Sequence, residues 1–192
     1  MREVTVGITG ASGSIYGIRL IEELAKLEIK VHVVVSKTAE KVIPFETGIN
    51  FSQFINQLIQ NGANIVVEDI DNYFASIASG SYKTDGMIIA PCSMGSLAQI
   101  ASGISSSLMM RAADVCLKER RPLILMARET PLNTINLENM LKITQAGGQI
   151  YPACPGFYSH PETLDDAVNF MVGKVMDALD IEHNLYKKWK TT

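Results

Sequence analysis

Val4-Thr5-Val6-Gly7-Ile8-Thr9-Gly10-Ala11-Ser12-Gly13-Ser14 passes from a short apolar run into a turn of small residues. Beyond it Ile18, Ile21, Leu24 and Ala25 recur at helical spacing, with Arg19, Glu22, Glu23 and Lys26 on the opposite side. Strand, glycine-rich turn and amphipathic helix in that order open a βαβ unit. Val31-His32-Val33-Val34-Val35, a β-branched run that stops at Ser36, supplies the second strand.

The alternation continues to the end of the chain. Helical patterns cover about 38 to 46, disturbed by Pro44, and 51 to 60. Ile65 to Val67 is a weak strand, and residues 69 to 84 form an irregular loop rich in Asp, Asn, Gly and Ser. Gly86 to Ala90 is a buried strand that Pro91 ends. Helical segments fill about 94 to 119, Pro122 to Met126 is a strand, and a helix covers about 136 to 146. Gln149 to Tyr151, a Pro-Gly loop and a helix from about 163 to 179 follow. This order predicts a doubly wound α/β fold: a mainly parallel, Rossmann-like sheet with helices on both faces. Residues 1–192 are expected to form a single flavin-binding domain, with 180–192 as a C-terminal tail helix or extension.

The 192 residues are 47% hydrophobic and carry a net charge of −3. That balance excludes non-specific nucleic-acid binding. Three cysteines without a C-x-x-C pair fit neither a disulfide framework nor a zinc site. No apolar run is long enough to span a bilayer and no signal peptide is visible, so the expected location is cytoplasmic.

In such a sheet, ligands bind beyond the carboxyl ends of the strands. Two loops there are built alike. Thr9-Gly10-Ala11-Ser12-Gly13-Ser14 and Pro91-Cys92-Ser93-Met94-Gly95-Ser96 both offer small residues, hydroxyls and free N–H groups at a helix start, which suits a phosphate. The first loop equally fits a tight turn with a capping serine. Dinucleotide folds place an acidic residue at the end of the second strand to hold the ribose, but here Ser36 and Lys37 stand there. A mononucleotide such as FMN therefore fits better than NAD. Cys92 is expected to be a packed, inert thiol.

Arg111, Lys118, Arg120, Arg121 and Arg128 fall within eighteen positions. Arg120 and Arg121 fit a solvated helix end. Arg128 and Glu129 follow a strand, at its ligand-binding end, and Tyr158 lies in the loop after the last strand. Lys118, Arg128 and Tyr158 are thus a candidate anion cluster. Lys174 is a lone charge in an apolar helix. Glu68-Asp69-Ile70-Asp71 is the nearest carboxylate cluster and lacks metal-ligand spacing, and His32, His160 and His183 show none either.

Several stretches, in order along nearly the whole chain, resemble the UbiX family of flavin prenyltransferases. Besides the two loops they are Arg111-Ala112-Ala113-Asp114-Val115, Leu117-Lys118-Glu119-Arg120-Arg121-Pro122-Leu123, Arg128-Glu129-Thr130-Pro131, Leu137-Glu138-Asn139-Met140 and Pro155-Gly156-Phe157-Tyr158. The resemblance implies that reduced FMN and dimethylallyl phosphate are joined without a metal at N5 and C6 of the flavin. The prenylated FMN formed would be passed to a UbiD-type decarboxylase. It implies flavin contacts at Gly10, Ala11, Ser12, Ser36, Ser93, Met94, Gly95, Ser96, Arg111 and Arg128. It implies substrate-phosphate contacts at Lys118, Arg128, Tyr158 and Lys174, where the family often has arginine in place of Lys174. Glu46 and Glu129 match acidic residues near the reacting atoms, Lys118 a catalytic cation, and Trp189 a tail tryptophan. A homo-oligomer, by resemblance a dodecamer, is expected, with the counterpart of Lys174 reaching in from a neighbouring subunit.

Two other readings compete. A flavin-dependent decarboxylase of a cysteine-containing substrate would carry an Asn-bearing Pro-x-Ala-x-Asn loop, where this chain has Pro91-Cys92-Ser93-Met94-Gly95. A non-catalytic flavin carrier would be free to lose Lys118, Tyr158 and Glu129, and all three are present.

Overall fold

The computed structural model describes residues 1–189. Strand β1 (Arg2–Ile8) leads into helix α1 (Ser14–Ala25), β2 (Ile29–Val35), α2 (Ala39–Thr47), α3 (Phe51–Gln60) and β3 (Ile65–Glu68). A 3-10 turn at Ser76–Ala78 precedes β4 (Gly86–Cys92), α4 (Met94–Ala101), α5 (Leu108–Lys118), β5 (Leu123–Ala127), α6 (Thr134–Gln145), β6 (Gln149–Pro152) and α7 (Leu164–Asp177). The six strands form one sheet in the order β3-β2-β1-β4-β5-β6, all neighbours parallel. The expected doubly wound sheet is what forms.

Central strands are apolar on both sides because helices cover both faces. One face packs Ile18, Ile21 and Leu24 of α1 against Val172 and Val175 of α7. The other packs Leu97 of α4 and Leu108, Met109 and Ala113 of α5 over Met87 and Leu125. Strand β4 runs through Pro91 to Cys92, past the end that Pro91 predicted, with a register shift against β5 between Ile89 and Cys92. The segment expected to be helical from 94 to 119 is two helices, parted at Ser102–Ser107.

Two expectations change. Arg121 does not end in solvent: its guanidinium donates to the carbonyls of Tyr82 (2.6 Å) and Gly80 (2.5 Å), pinning the long loop after β3. The tail is not a helix. The final helix stops at Asp177, and the chain turns at Asp180, which takes a left-handed φ of 51°. Residues 181–189 then fold back as irregular chain, and the last three residues of the expected tail lie outside the described residues.

The sheet order reverses between β1 and β4, and a crevice opens where their following loops diverge. Thr9 ties that point together. Its backbone N–H and its hydroxyl both donate to the Pro91 carbonyl (3.2 and 2.8 Å), and the hydroxyl accepts the Ser93 N–H at 2.8 Å. Thr9 is buried. Thr9→Val keeps the shape but leaves the Ser93 donor unpaired. It should cost about 1–3 kcal/mol, the usual penalty of such a group, measurable as a lower urea midpoint at unchanged slope.

Candidate functional site

A cavity of about 370 Å³ opens at the carboxyl ends of β1, β2 and β4. Its walls carry six hydroxyls, from Ser36, Thr38, Ser93, Ser96, Ser106 and Ser107, with Gly10, Gln99, Met109 and Met110 beside them. Helices α2, α4 and α5 all begin here. Ser36 Oγ accepts the Ala39 N–H (3.2 Å), Ser93 Oγ that of Ser96 (3.2 Å) and Ser107 Oγ that of Met110 (3.3 Å). Three positive dipole ends and a ring of hydroxyls favour an anion. Lys37 and Asp71 close the rim as an exposed ion pair at 2.5 Å. A larger groove of about 800 Å³ lies between α2, α3 and β3. Its charged residues are Glu40, Glu68 and Asp69, the wrong sign for a phosphate.

The first glycine-rich loop has a different task from the one its composition points to. The start of α1 is already filled by a carboxylate of the chain itself. Glu46 accepts from the N–H of Gly13 (3.0 Å), the N–H of Ser14 (3.0 Å) and the Ser14 hydroxyl (2.7 Å). Partial burial alone would raise the Glu46 carboxyl; hydrogen bonds from Ser12, Ser14 and Gly13 outweigh it and hold it below the ordinary range. Gly10 is instead a packing glycine. A Cβ there would lie 2.3 Å from Cγ2 of Thr38, so only hydrogen lets the loop close against α2. Ala11 is buried, whereas Ser12 is exposed and turned toward Glu46.

The second loop meets the cavity through Ser93 and Ser96. Met94 and Gly95 begin α4 between them, and Gly95 faces open space. Arg128 follows β5, its N–H bound to the Cys92 carbonyl at 3.2 Å. Its Nε is buried and has no hydrogen-bond partner among the described residues, an orphaned donor suited to an anion. Its side chain lies near Gly13, which places it by the Ser12–Glu46 contact. Glu129 is exposed and accepts the Thr130 N–H at 3.0 Å. Cys92 is fully buried, and burial pushes its thiol up to about 12, so it is no nucleophile.

Within one chain Lys118 stands apart from the cavity. Lys118 ends α5, whose start lines the cavity; ten residues of helix carry it roughly 15 Å away toward the other edge of the sheet. There it pairs with Glu119 at 2.9 Å. Seven-residue spacing from Arg111 put the two on one helix face but set them two turns apart. Arg111 itself donates to the Ala78 carbonyl (3.1 Å) and to Asp114 (2.6 Å), so within this chain it anchors the 3-10 turn rather than the cavity. Tyr158, Lys174 and Trp189 gather elsewhere, beside α7. Tyr158 stands edge-on to Phe170 (5.5 Å) and Trp189 (5.3 Å), and the Lys174 ammonium lies 6.0 Å over the Tyr186 ring.

Sequence reasoning missed Thr38, Gln99, Ser106 and Ser107. Ser105-Ser106-Ser107 directly before an apolar helix was the available signal, since serines there cap helices. No group of three His, Cys, Asp or Glu that could hold a metal occurs among the described residues.

The Flavoprotein family profile matches residues 1–176. A flavin prenyltransferase UbiX of Halalkalibacterium halodurans is 50% identical over 189 residues, covering 96% of this chain and 92% of that protein. The crystal structure of AnUbiX (PadA1) in complex with FMN and dimethylallyl pyrophosphate superposes with a TM-score of 0.93 at 41% identity, covering 100% of this chain and 98% of that one. A dodecameric FMN-dependent UbiX-like decarboxylase from Escherichia coli O157:H7 gives 0.91 at 41% identity, over 98% and 99% of the two chains. Similarity of this depth over the full length, on the same six-stranded sheet, settles the family: the chain belongs to the UbiX flavin prenyltransferases.

Proposed function

We propose that this protein transfers the dimethylallyl group of dimethylallyl phosphate to N5 and C6 of reduced FMN, making the prenylated flavin used by UbiD-type decarboxylases. The observation that carries the reading is the cavity at the switch point, where three helix starts and six hydroxyls converge; the orphaned Arg128 Nε stands outside its lining, on a side chain near Gly13 of the neighbouring loop. The flavin phosphate belongs among Ser36, Thr38, Ser106 and Ser107, not at Gly10-Ala11-Ser12, because Glu46 already occupies the donors of α1. The isoalloxazine then extends toward Ser93 to Ser96 and the Ser12–Glu46 pair. Bound reduced FMN supplies the nucleophilic ring atoms.

The protein supplies charge and position. Ionising the prenyl C–O bond leaves an allylic cation and a phosphate dianion. Arg128, with Lys118, Tyr158 and Lys174, holds the leaving phosphate and stabilises its developing charge. Trp189 presents a π-face to the cation, an attraction of about 0.5–2 kcal/mol. Glu46, kept ionised, orients the Ser12 and Ser14 hydroxyls at the reacting end, and Glu129, next to Arg128 in sequence, is the carboxylate assigned to take a proton. Holding both reactants in one crevice provides the entropic part of the acceleration.

Because one chain separates these groups, the complete pocket is shared between protomers of a homo-oligomer. Exposed apolar side chains support assembly: Phe74 is 100% and Phe45 91% exposed, and Leu132, Ile135, Leu137 and Leu141 lie bare on and before α6. No described helix is long and apolar enough to cross a membrane. The cysteine-decarboxylase reading lacks its Asn-bearing loop, since Pro91-Cys92-Ser93-Met94-Gly95 stands there, and the carrier reading gives no use for Lys118, Tyr158 and Glu129.

Incubating the protein with reduced FMN and dimethylallyl phosphate should yield a flavin heavier by one prenyl unit in mass spectrometry; unchanged flavin would overturn the reading. Gly10→Val should push Thr38 out of the cavity wall and weaken FMN binding by at least about tenfold, or 1.4 kcal/mol, in fluorescence titration of a folded variant. Lys174→Ala should cost about 1.5–3 kcal/mol in kcat/KM for the prenyl substrate, the scale of a charge-assisted contact, while FMN stays bound. Reassembled from a mixture with Arg128→Ala, it should regain activity that neither variant shows alone, because some mixed pockets carry both wild-type groups.

A further inference from the structure

We propose that Gly173 and Asp177 form a seat on α7 that fixes the C-terminal tail so that Trp189 stands against Tyr158, making Asp177 a positioning residue for the prenyl-phosphate end of the site. The functional half of this inference rests on the reading that Tyr158, Lys174 and Trp189 serve the prenyl substrate. The structural half stands on contacts within the chain.

Gly173 and Asp177 are four apart and share a helix face. A Cβ at Gly173 would lie 2.6 Å from the Tyr186 ring and 2.7 Å from the His183 ring. Glycine inside a helix costs about 1 kcal/mol relative to alanine, and here it admits the tail to direct contact with the helix backbone. One turn on, the Asp177 carboxylate collects the tail's polar groups: it accepts from the Tyr186 hydroxyl, from Lys188 Nζ at 2.9 Å and from His183 Nε2 at 3.2 Å. His183 Nδ1 accepts the Leu185 N–H at 3.1 Å, which assigns the imidazole proton to Nε2, the atom facing Asp177. Upstream, Arg2 donates to the carbonyls of Asp180 (2.9 Å) and Leu179 (2.5 Å), holding the turn that sends the tail back.

From the seat a run of ring contacts leads to the site residues. Tyr186 packs on Phe170 with centroids 4.9 Å apart, Phe170 meets Tyr158 edge-on, and Tyr158 meets Trp189 at 84°. Lys174, one residue from the seat, lies over the same Tyr186 ring. Burial alone would raise the Asp177 carboxyl; the hydrogen bonds of Tyr186 and Lys188, with His183 and the Lys188 charge close by, outweigh it and keep it low. Burial and the bond to Asp177 push the Tyr186 phenol far up, so the pair stays carboxylate and phenol at neutral pH. Rigid placement of Tyr158 and Trp189 spares the substrate the ordering of two side chains when it binds.

Trp189 is the only tryptophan, so its emission reports the tail without labelling. In the full-length oligomer Asp177→Asn should shift and broaden that emission, increase its quenching by acrylamide and speed tryptic cleavage after Lys187 and Lys188. KM for dimethylallyl phosphate should rise about tenfold or more, 1.4 kcal/mol, with FMN affinity unchanged and kcat affected less. Tyr186→Phe removes one donor only and should move every readout the same way by less; it carries the test if Asp177→Asn does not fold. Parent-like emission and cleavage in a folded variant would overturn the seat. Altered emission with a parent-like KM would overturn the positioning role. If the parent protein itself makes no prenylated flavin, the reaction is misread and the positioning role falls with it, while emission and cleavage still decide the seat.

Discussion

The Thr9 hydroxyl holds together the one place where this sheet must come apart. Parallel strands that wind outward from β1 and β4 leave their following loops pointing in opposite directions, and nothing in the strand ladders joins those loops. A single buried side chain does so, giving to Pro91 and taking from Ser93. Every element of the cavity hangs from that clasp: β1 delivers Gly10 against Thr38, and β4 delivers Ser93 as the cap of α4. The crevice is thereby a built feature of the fold and not a gap left by imperfect packing.

Around the crevice the fold distributes its positive helix ends unequally. Four helices start at this edge near the site, and each offers unpaired N–H groups. The start of α1 is neutralised by Glu46, so it does not compete for an external anion. The starts of α2, α4 and α5 are capped only by neutral serines and retain their field. One internal carboxylate thus leaves the free positive helix ends on one side of the crevice.

The cations follow a different logic. Lys118 sits at the far end of α5, and Tyr158 and Lys174 lie beside α7, away from the cavity that their chemistry implies. Lys37 stands on the cavity rim, whereas Arg128 lies near Gly13 and its Nε has no hydrogen-bond partner among the described residues. The tail is tied down within its own chain, by the Asp177 carboxylate and by the ring contacts that run from Tyr186 to Trp189.

Much of the fold was legible in local pattern. The β-branched runs at Val4–Ile8 and Val31–Val35, the amphipathic stretch behind Gly13 and the absence of an acid at Ser36 are properties of neighbours in sequence, and they led to a parallel sheet and a mononucleotide. Ser93 and Ser96 were legible for the same reason, since position after a strand is enough to place a residue at the carboxyl edge of the sheet, where both line the cavity. What sequence alone could not decide was which donors are already spent and which groups face one another. Glu46 reaches the start of α1 across thirty-two residues, Gly10 exists for Thr38, and Arg121 serves two carbonyls of a distant loop. Lys118 looked adjacent to the site because helix face is legible in spacing, but helix length carries it to the opposite edge. The sequence by itself determined most of the strands and helices and the sheet edge at which the two small-residue loops lie, since hydrophobic periodicity and turn chemistry are local. Only the tertiary structure decided where charge is already satisfied, because hydrogen bonds between distant segments leave no periodic trace.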